Sequence, residues 1–263
     1  MIAYFNYIVI LGITFLLSSS FLILFDSKKV IKKFIYSLLG AYTLIFLIFI
    51  LLLWNELERI PLRTLGETRL WYAFFIPMLT LVLYFKSQWR WIVPYGCLMA
   101  VVFLVINVLH PENFSKELMP ALQSVWFAPH VIVYIFSYAI FGMATLLSLH
   151  QLLYVKVKKW EEWLLTTDRL IYTGFAFLTM GLLFGAIWAK QAWGHYWTWD
   201  PKEIWALITW MIYLLYMHYR LAYRPAYSSA AKILIVAFIL LLICWFGINY
   251  MPIANQSVHT YGG

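Results

Sequence analysis

Eight long apolar runs constrain the fold of this chain more than any other feature. Of its 263 residues, 64% are hydrophobic and 11% are charged, and the mean hydropathy of +0.81 is far above that of a soluble domain. A helix needs about 20 mostly apolar residues to cross the hydrocarbon layer of a membrane. The sequence therefore predicts an all-α, polytopic transmembrane bundle of about eight helices, with runs at approximately 4–25, 34–54, 71–85, 91–110, 130–153, 170–189, 203–223 and 233–250.

Local features refine three of these runs. The first is predicted to be an anchor and not a cleaved signal peptide, because it lacks a basic segment before it and a small-residue cleavage site after it. The third is short and interrupted by Pro77, which makes it the weakest span. In the sixth, Gly181 and Gly185 have the spacing that permits close helix packing.

The basic residues fall unequally on alternate loops. If the N-terminus lies outside, thirteen Lys and Arg residues share one face of the membrane and six share the other. Because basic residues collect on the cytoplasmic side, both termini are predicted to be outside. The net charge of +8 is interpreted as this orientation signal and as affinity for anionic membrane lipid, and it does not indicate nucleic acid. The more basic face holds Lys28, Lys29, Lys32, Lys33, Lys86, Arg90, Lys156, Lys158, Lys159, Arg169, Arg220, Arg224 and Lys232.

The two cysteines give no sign of redox or metal chemistry. Cys97 and Cys244 both fall inside apolar runs and are not arranged as Cys-x-x-Cys. We therefore expect neither a disulfide nor a metal site from them.

A tryptophan-rich loop lies on the predicted outer face, between the sixth and seventh runs. Six tryptophans occur in residues 188–210, and three of them, Trp193, Trp197 and Trp199, fall in one short stretch. Trp and Tyr collect at membrane interfaces, and an anchoring role stays open for the two tryptophans on the next helix. The density in the loop is greater than anchoring requires, and it favours an aromatic platform for a large flat ligand.

Asp200 at the end of this loop has two compatible interpretations. With Asp200 as N-cap, Pro201 at the first helical position and Glu203 at the third, the sequence predicts a capped helix start. A rigid cap would also hold the tryptophan loop in one geometry beside a ligand.

Two histidines belong to the same outer face. His130 follows Pro129 at the start of the fifth run, and His259 lies in the C-terminal tail beyond the eighth. The iron of a planar porphyrin takes two axial imidazoles from opposite sides, and its ring needs apolar or aromatic walls. This face supplies both kinds of group.

Two further histidines fall near the predicted inner surface. His218 lies about 26 Å beyond Pro201, and His150 lies about 30 Å beyond His130, at 1.5 Å per helical residue. Each alone is an ordinary interfacial or hydrogen-bonded histidine, whereas their comparable depth suggests an inner haem site as a hypothesis. The remaining two, His110 and His195, are not predicted to be ligands.

These residues resemble a known family. The stretch WGHYWTWDPKE at residues 193–203, followed by WALITW at 205–210, resembles the "WWD" signature of the CcsA/ResC/CcmC haem-handling proteins of cytochrome c biogenesis, especially the CcsA/ResC branch. His130 in PHV and His259 before TYG resemble the two external histidines of the family, and His218 in MHYR resembles its membrane histidine. The resemblance covers residues 125–263, a WWD-type haem-handling domain, and leaves the transmembrane helices of residues 1–124 unassigned.

The resemblance implies a haem-binding and haem-delivery subunit of a system II cytochrome c synthase in a bacterial inner membrane, active at the periplasmic or extracellular face. Haem b would enter near His218 and move outward to His130 and His259, against the loop of Trp193, Trp197, Trp199 and Asp200. There it would be presented to the Cys-x-x-Cys-His motif of apocytochrome c for thioether attachment. Relatives of this branch work with a membrane protein of the CcsB/ResB type, so the chain would be one subunit of a haem lyase.

The sequence leaves the second ligand of the inner site open, and it allows other classes of function. The inner site of the family is thought to draw a histidine from the partner, whereas here His150 is available, so its second ligand is open. A haem-binding regulator or escort without ligase activity is the leading alternative. A solute transporter would need buried charges at the midplane of the membrane, and the runs contain almost none.

Overall fold

A computed structural model describes residues 4–26, 28–110, 120–154, 160–222, 227–252 and residue 257. Within these residues, eight helices of at least 18 residues and three short 3-10 segments form most of the structure, and no strand occurs. The predicted all-α helical bundle is therefore confirmed. The side of the membrane on which the termini lie stays a prediction.

The chain divides into two compact units, Met1–Leu118 and Met119–Gly263. The roles assigned to the two parts stay predictions. The first unit contains α1 (Phe5–Leu22), α2 (Lys29–Leu57), α3 (Leu65–Ser87) and α4 (Ile92–Leu109). The second contains α5 (Phe127–Tyr154), α6 (Trp160–Trp193), α7 (Pro201–Ala222) and α8 (Tyr227–Trp245).

Seven of the eight helices are long and apolar enough to cross a membrane, among the residues that the structure describes. The exception by composition is α7, which corresponds to the run predicted at 203–223. Its tryptophans, its tyrosines, His218 and Arg220 lower its mean hydropathy, although their rings give it a large apolar surface. The chain is a multi-pass membrane protein.

The helix α3 is longer than the weak run predicted at 71–85, because a capping box extends it. Thr64 Oγ1 accepts a hydrogen bond of 3.1 Å from the backbone N–H of Glu67, and the carboxylate of Glu67 accepts one of 3.5 Å from the backbone N–H of Thr64. This reciprocal arrangement satisfies two N–H groups that the first turn leaves unpaired. Pro77 lies inside the helix and does not end it.

A buried ion pair holds the connection between α2 and α3 in the first unit. The Arg59 guanidinium donates two hydrogen bonds to the Glu67 carboxylate, at 2.9 and 2.7 Å. Glu67 is fully buried and also accepts a hydrogen bond of 2.7 Å from the backbone N–H of Arg63. A buried carboxylate is stable only when an opposite charge and hydrogen-bond donors replace its lost hydration, and Glu67 has both.

The helix α6 begins about ten residues before its predicted apolar run at 170–189, and this additional part contains a polar contact with α7 at Asp168. Asp168 accepts hydrogen bonds from Arg220 Nη2 at 2.9 Å and from the Tyr216 hydroxyl at 2.6 Å. The side chains of the Asp168–Arg220 ion pair are each 11% exposed. Charge pairing therefore replaces apolar burial at this end of the helix.

In the second unit, α5 and α6 are antiparallel and their backbones approach closely. Gly174 faces the ring of Phe141, and a Cβ atom on this glycine would lie 2.7 Å from Phe141 Cε1. Ser137 Oγ donates a hydrogen bond of 2.7 Å to the Gly174 carbonyl. Small residues at such contacts allow helices to pack at short range in a membrane.

Candidate functional site

His130 lies in the first turn of α5, against α6. Its Nδ1 atom is 2.8 Å from the carbonyl oxygen of Gly181. A carbonyl can only accept a hydrogen bond, so Nδ1 carries the proton and a neutral ring has its lone pair on Nε2. Histidines that bind metals are commonly held in this way, with one ring nitrogen donating to the protein and the other directed at the metal.

The glycine pair noted in the sequence makes room for this ring. A Cβ atom on Gly185 would lie 2.7 Å from both Cε1 and Nδ1 of His130. One turn earlier, a Cβ atom on Gly181 would lie 2.5 Å from Cδ2 of Tyr134. At these distances something must shift, so a larger residue at either position would displace the ring or separate α5 from α6. The weak packing motif therefore has a specific purpose, which is to admit an imidazole and a phenol ring.

Trp188 forms one wall of the His130 site, and sequence reasoning missed it. The indole stacks on the imidazole with centroids 5.5 Å apart and an interplanar angle of 29°. It also packs against Trp193, with centroids 4.8 Å apart. The only signal in the sequence is that Trp188 begins the tryptophan-rich stretch, because its contact with His130 spans two helices.

The tryptophan loop begins where α6 ends, at Trp193. Gly194 has a φ of +85°, its N–H donates to the Lys190 carbonyl at 3.0 Å, and its own carbonyl accepts from Lys190 Nζ at 2.7 Å. A glycine in this left-handed conformation is a common helix C-terminus. The chain therefore turns sharply after the first tryptophan of the loop.

The other two loop tryptophans contact each other. The rings of Trp197 and Trp199 meet edge to face, with centroids 5.8 Å apart and an interplanar angle of 88°. Trp199 has a φ of +60°, which is rare for a residue with a large side chain, and it is 65% exposed. An aromatic ring presented to the surface by a strained backbone is a feature of binding sites.

Asp200 and Glu203 cap α7 as expected from the sequence. Asp200 Oδ1 accepts a hydrogen bond of 2.8 Å from the backbone N–H of Lys202. The Glu203 carboxylate accepts from the backbone N–H groups of Asp200 at 3.1 Å and of Thr198 at 2.8 Å. Both carboxylates are buried, so they hold the end of the tryptophan loop firmly on the helix.

Ser257, near the end of the chain, also contacts the Asp200 carboxylate. Ser257 Oγ donates a hydrogen bond of 2.9 Å to Asp200 Oδ1, and the serine is buried. Asp200 therefore joins the helix start, the tryptophan loop and the tail. His259, the second predicted outer ligand, lies outside the residues that the structure describes.

The two inner histidines have different surroundings. His150 stacks on Trp163 of α6, with centroids 5.4 Å apart and an interplanar angle of 12°. The Nδ1 atom of His218 is 2.9 Å from the Leu214 carbonyl on its own helix, and the side chain is exposed. By the same reasoning as for His130, the neutral His218 ring has its lone pair on Nε2.

The described residues contain no group of three or more His, Cys, Asp and Glu side chains that could hold a metal ion. The arrangement at His130 suits a different kind of metal centre. A porphyrin supplies four nitrogen ligands to its iron, so the protein has to add only axial ligands and apolar walls. His130 with its fixed tautomer, Trp188 and the nearby loop tryptophans fit that requirement.

Comparison with known proteins identifies the family. Eight long helices, seven of them apolar enough to span a membrane, define a multi-pass membrane protein by fold, within the part of the chain that the structure describes. The family described as "Cytochrome C assembly protein" matches residues 3–254, and the chain belongs to this family. The resemblance found in the sequence is thereby confirmed.

Individual relatives cover most of the chain. A cytochrome c biogenesis protein CcsA of Chlamydomonas reinhardtii is 35% identical over 242 residues, which cover 86% of this chain and 67% of that protein. The CcsA of Trachelium caeruleum is 31% identical over 258 residues, which cover 81% of each.

A solved structure shares the fold. The cytochrome c haem lyase CcmF superposes with a TM-score of 0.75 at 17% identity, over 99% of this chain and 49% of that one. The chain thus spans about half the length of the lyase. At this level of identity the likeness concerns the fold alone.

Proposed function

We propose that this chain binds haem b as a substrate and delivers it within a system II cytochrome c synthase, with His130 and His259 as the axial ligands of an outer site. The observation that carries the proposal is the 2.8 Å contact between His130 Nδ1 and the Gly181 carbonyl. It sets the tautomer in which Nε2 is the nitrogen able to bind iron. Membership of a cytochrome c assembly family supports the same function.

The aromatic groups around His130 support a flat, apolar ligand. Trp188 stacks on the imidazole and packs on Trp193, which begins the loop. Trp197 and Trp199, which contact each other, add two further aromatic rings in the same loop. We infer that these loop tryptophans contact the porphyrin ring, because they offer large apolar faces at little cost in conformational entropy.

The contact between Ser257 and Asp200 supports His259 as the second outer ligand. Ser257 is anchored at the end of the tryptophan loop, and only one residue separates it from His259. Two residues of extended chain span at most about 7 Å. This short reach from Ser257 supports His259 as a ligand in the structural unit that also contains His130 and Asp200.

The proposed chemistry needs positioning and no nucleophile from this chain. When haem is bound, its two vinyl groups accept the two cysteine thiols of apocytochrome c. Each S–H adds across a C=C bond, forming one C–S bond and one C–H bond without net oxidation. His130 and His259 hold the iron until the histidine of the Cys-x-x-Cys-His motif replaces one of them, and the fixed loop keeps the vinyl edge accessible.

We propose an inner site at His218, where haem enters before it moves outward. The exposed side chain and its Nδ1 contact with Leu214 support a role for Nε2 as a ligand. The second ligand comes either from His150 or from a CcsB/ResB-like partner. The stacking of His150 on Trp163 favours a packing role for that residue and hence a ligand from the partner.

The proposed location is a bacterial inner membrane, with the tryptophan loop at the periplasmic or extracellular face. The unequal distribution of basic residues supports this orientation, since thirteen of nineteen fall on the opposite face. The proposed partners are a CcsB/ResB-like membrane protein, apocytochrome c and membrane lipid.

The test is the optical spectrum of the chain purified in detergent after expression with its partner. We expect a low-spin, bis-histidine haem spectrum that His130→Ala and His259→Ala each weaken or shift to high spin. His110→Ala, on the first unit, is the matched control and should leave the spectrum unchanged. A wild-type chain that stays haem-free with its partner and excess haem would contradict the proposal.

A second assay separates synthesis from escort. Apocytochrome c is added to the haem-loaded complex, and haem that stays on the cytochrome after denaturation is measured. Covalent haem supports the synthase. Haem that is bound normally but never attached would assign the chain to the regulator or escort class.

A further inference from the structure

One tryptophan outside the tryptophan loop contacts both the proposed outer ligand and the loop. Trp188 stacks on His130 on one side and packs on Trp193 on another, with ring centroids 5.5 and 4.8 Å apart. It precedes the signature stretch at residues 193–203, and the function proposed above uses it only as part of the aromatic surface.

The indole of Trp188 is itself held in place. It is 2% exposed, and its Nε1–H donates a hydrogen bond of 2.7 Å to the Ala121 carbonyl. The indole also packs on Phe127 of α5, with ring centroids 5.3 Å apart. A buried indole with its N–H paired has little freedom to rotate, so Trp188 is a rigid surface.

The imidazole of His130 has two further contacts, with Tyr134 and with Gly181. Tyr134 meets the ring edge to face, with centroids 4.8 Å apart and an interplanar angle of 69°. The hydrogen bond to the Gly181 carbonyl fixes the direction of Nδ1. The near-parallel indole, at 29°, lies along the face of the ring and opposes its tilt.

We propose that Trp188 is a positioning residue that sets the orientation of the His130 imidazole plane at the outer haem site. This inference rests on the proposed function, because it concerns the same site. Trp188 does not touch the iron; it acts through His130. Through Trp193 it also holds the start of the tryptophan loop in a fixed relation to the ligand.

The orientation of an axial imidazole has a spectroscopic consequence. In a bis-histidine haem, the angle between the two imidazole planes determines the splitting of the iron d orbitals. That splitting sets the g values of the low-spin ferric state in electron paramagnetic resonance. A ring that is free to tilt gives broadened g values, and the loss of a supporting neighbour weakens metal retention by about tenfold.

The experiment compares Trp188→Leu and Trp188→Phe with the wild-type chain, each co-purified with the CcsB/ResB-like partner. Leucine removes the flat surface, and phenylalanine keeps a ring but loses the hydrogen bond to Ala121. We expect Trp188→Leu to shift or broaden the low-spin g values and to release haem about tenfold faster to an apo-globin acceptor. Trp188→Phe should restore much of the wild-type signal.

The matched control is Trp71→Leu on α3 of the first unit, which removes an indole whose Nε1–H likewise donates to a backbone carbonyl, that of Pro61, at 2.9 Å. It should leave the haem signals unchanged. If Trp188→Leu does not fold, Phe127→Leu replaces it in the comparison, because it removes a ring that packs on the indole.

In haem-free protein, ¹⁵N spectra of the histidine side chains give a second readout. The signal of His130 with its proton on Nδ1 should be sharp in the wild type and broader in Trp188→Leu.

The two proposals fail in different ways. If the wild-type spectrum does not depend on His130, the proposed function is wrong. If haem depends on His130 but Trp188→Leu and Phe127→Leu keep wild-type g values, haem release and histidine signals, only the positioning role of Trp188 is overturned.

Discussion

Ser257 Oγ donates a hydrogen bond of 2.9 Å to Asp200 Oδ1, although the two residues are 57 positions apart in the sequence. The same oxygen accepts a hydrogen bond from the backbone N–H of Lys202, in the first turn of α7. One buried carboxylate thus contacts both the start of α7 and Ser257, which lies two positions before the proposed ligand His259.

The first prediction concerns this anchor. Ser257→Ala should lower the low-spin haem signal severalfold, because the tail that carries the proposed ligand loses its attachment to Asp200. The helix start should persist, since Asp200 still accepts from Lys202. Optical spectra of the purified complex measure the effect, with Ser229→Ala on an exposed part of α8 as the control. Equal spectra for the two variants would disprove the anchoring role.

The second prediction concerns the room around His130. Gly185→Ala places a methyl group 2.7 Å from the imidazole, so the ring must move and the proposed iron ligand is displaced. We expect the low-spin haem signal to be lost while the helical circular dichroism is retained. Gly40→Ala is the control, because a Cβ atom at Gly40 meets nothing within 4 Å. That control should stabilise α2 by about 0.5–1 kcal/mol. A Gly185→Ala chain with normal haem would show that His130 is not a ligand in this position.

The third prediction concerns the hold of Glu203 on the tryptophan loop. Glu203→Ala frees the backbone N–H groups of Thr198 and Asp200, so the loop should be cleaved faster in limited proteolysis. Glu203→Gln keeps one acceptor oxygen and should have an intermediate effect. Cleavage rates that do not differ among the three proteins would mean that the loop is held by other contacts.

The fourth prediction concerns the ion pair at the other end of α6. Asp168→Ala leaves the Arg220 guanidinium without its carboxylate and should destabilise the chain on the order of 3 kcal/mol. The double variant Asp168→Leu with Arg220→Met should recover most of this loss, because neither charge is then left buried alone. Thermal unfolding in detergent measures both, and Arg169→Met, at an exposed position, serves as the control. A double variant no more stable than Asp168→Ala would argue against this account.

Much of the fold could be predicted from the sequence, because the requirement for apolar spans is strong and local. The eight predicted runs correspond to eight helices in the described residues. The errors were at the ends. Thr64 and Glu67 extend α3 with a capping box, and Asp168 extends α6 by pairing with Arg220. Hydropathy records neither effect, because both depend on polar contacts.

The candidate site was only partly predictable. The cap formed by Asp200 and Glu203 is local and followed from their spacing. The contact of Trp188 with His130 and that of Ser257 with Asp200 join segments far apart in the sequence, so no pattern in one segment predicts them. The left-handed backbone of Trp199 was also unpredictable, because such conformations are imposed by the surrounding structure.

The glycines of α6 also fix the sliding register between two helices. Ser137 contacts the Gly174 carbonyl, and His130, one heptad earlier on α5, contacts the Gly181 carbonyl, one heptad later on α6. A slip of one residue, about 1.5 Å, would drive larger side chains into the rings that these glycines admit. The height of His130 along α6 is therefore determined by helix packing, and changes in the loops can alter its surroundings without altering its depth.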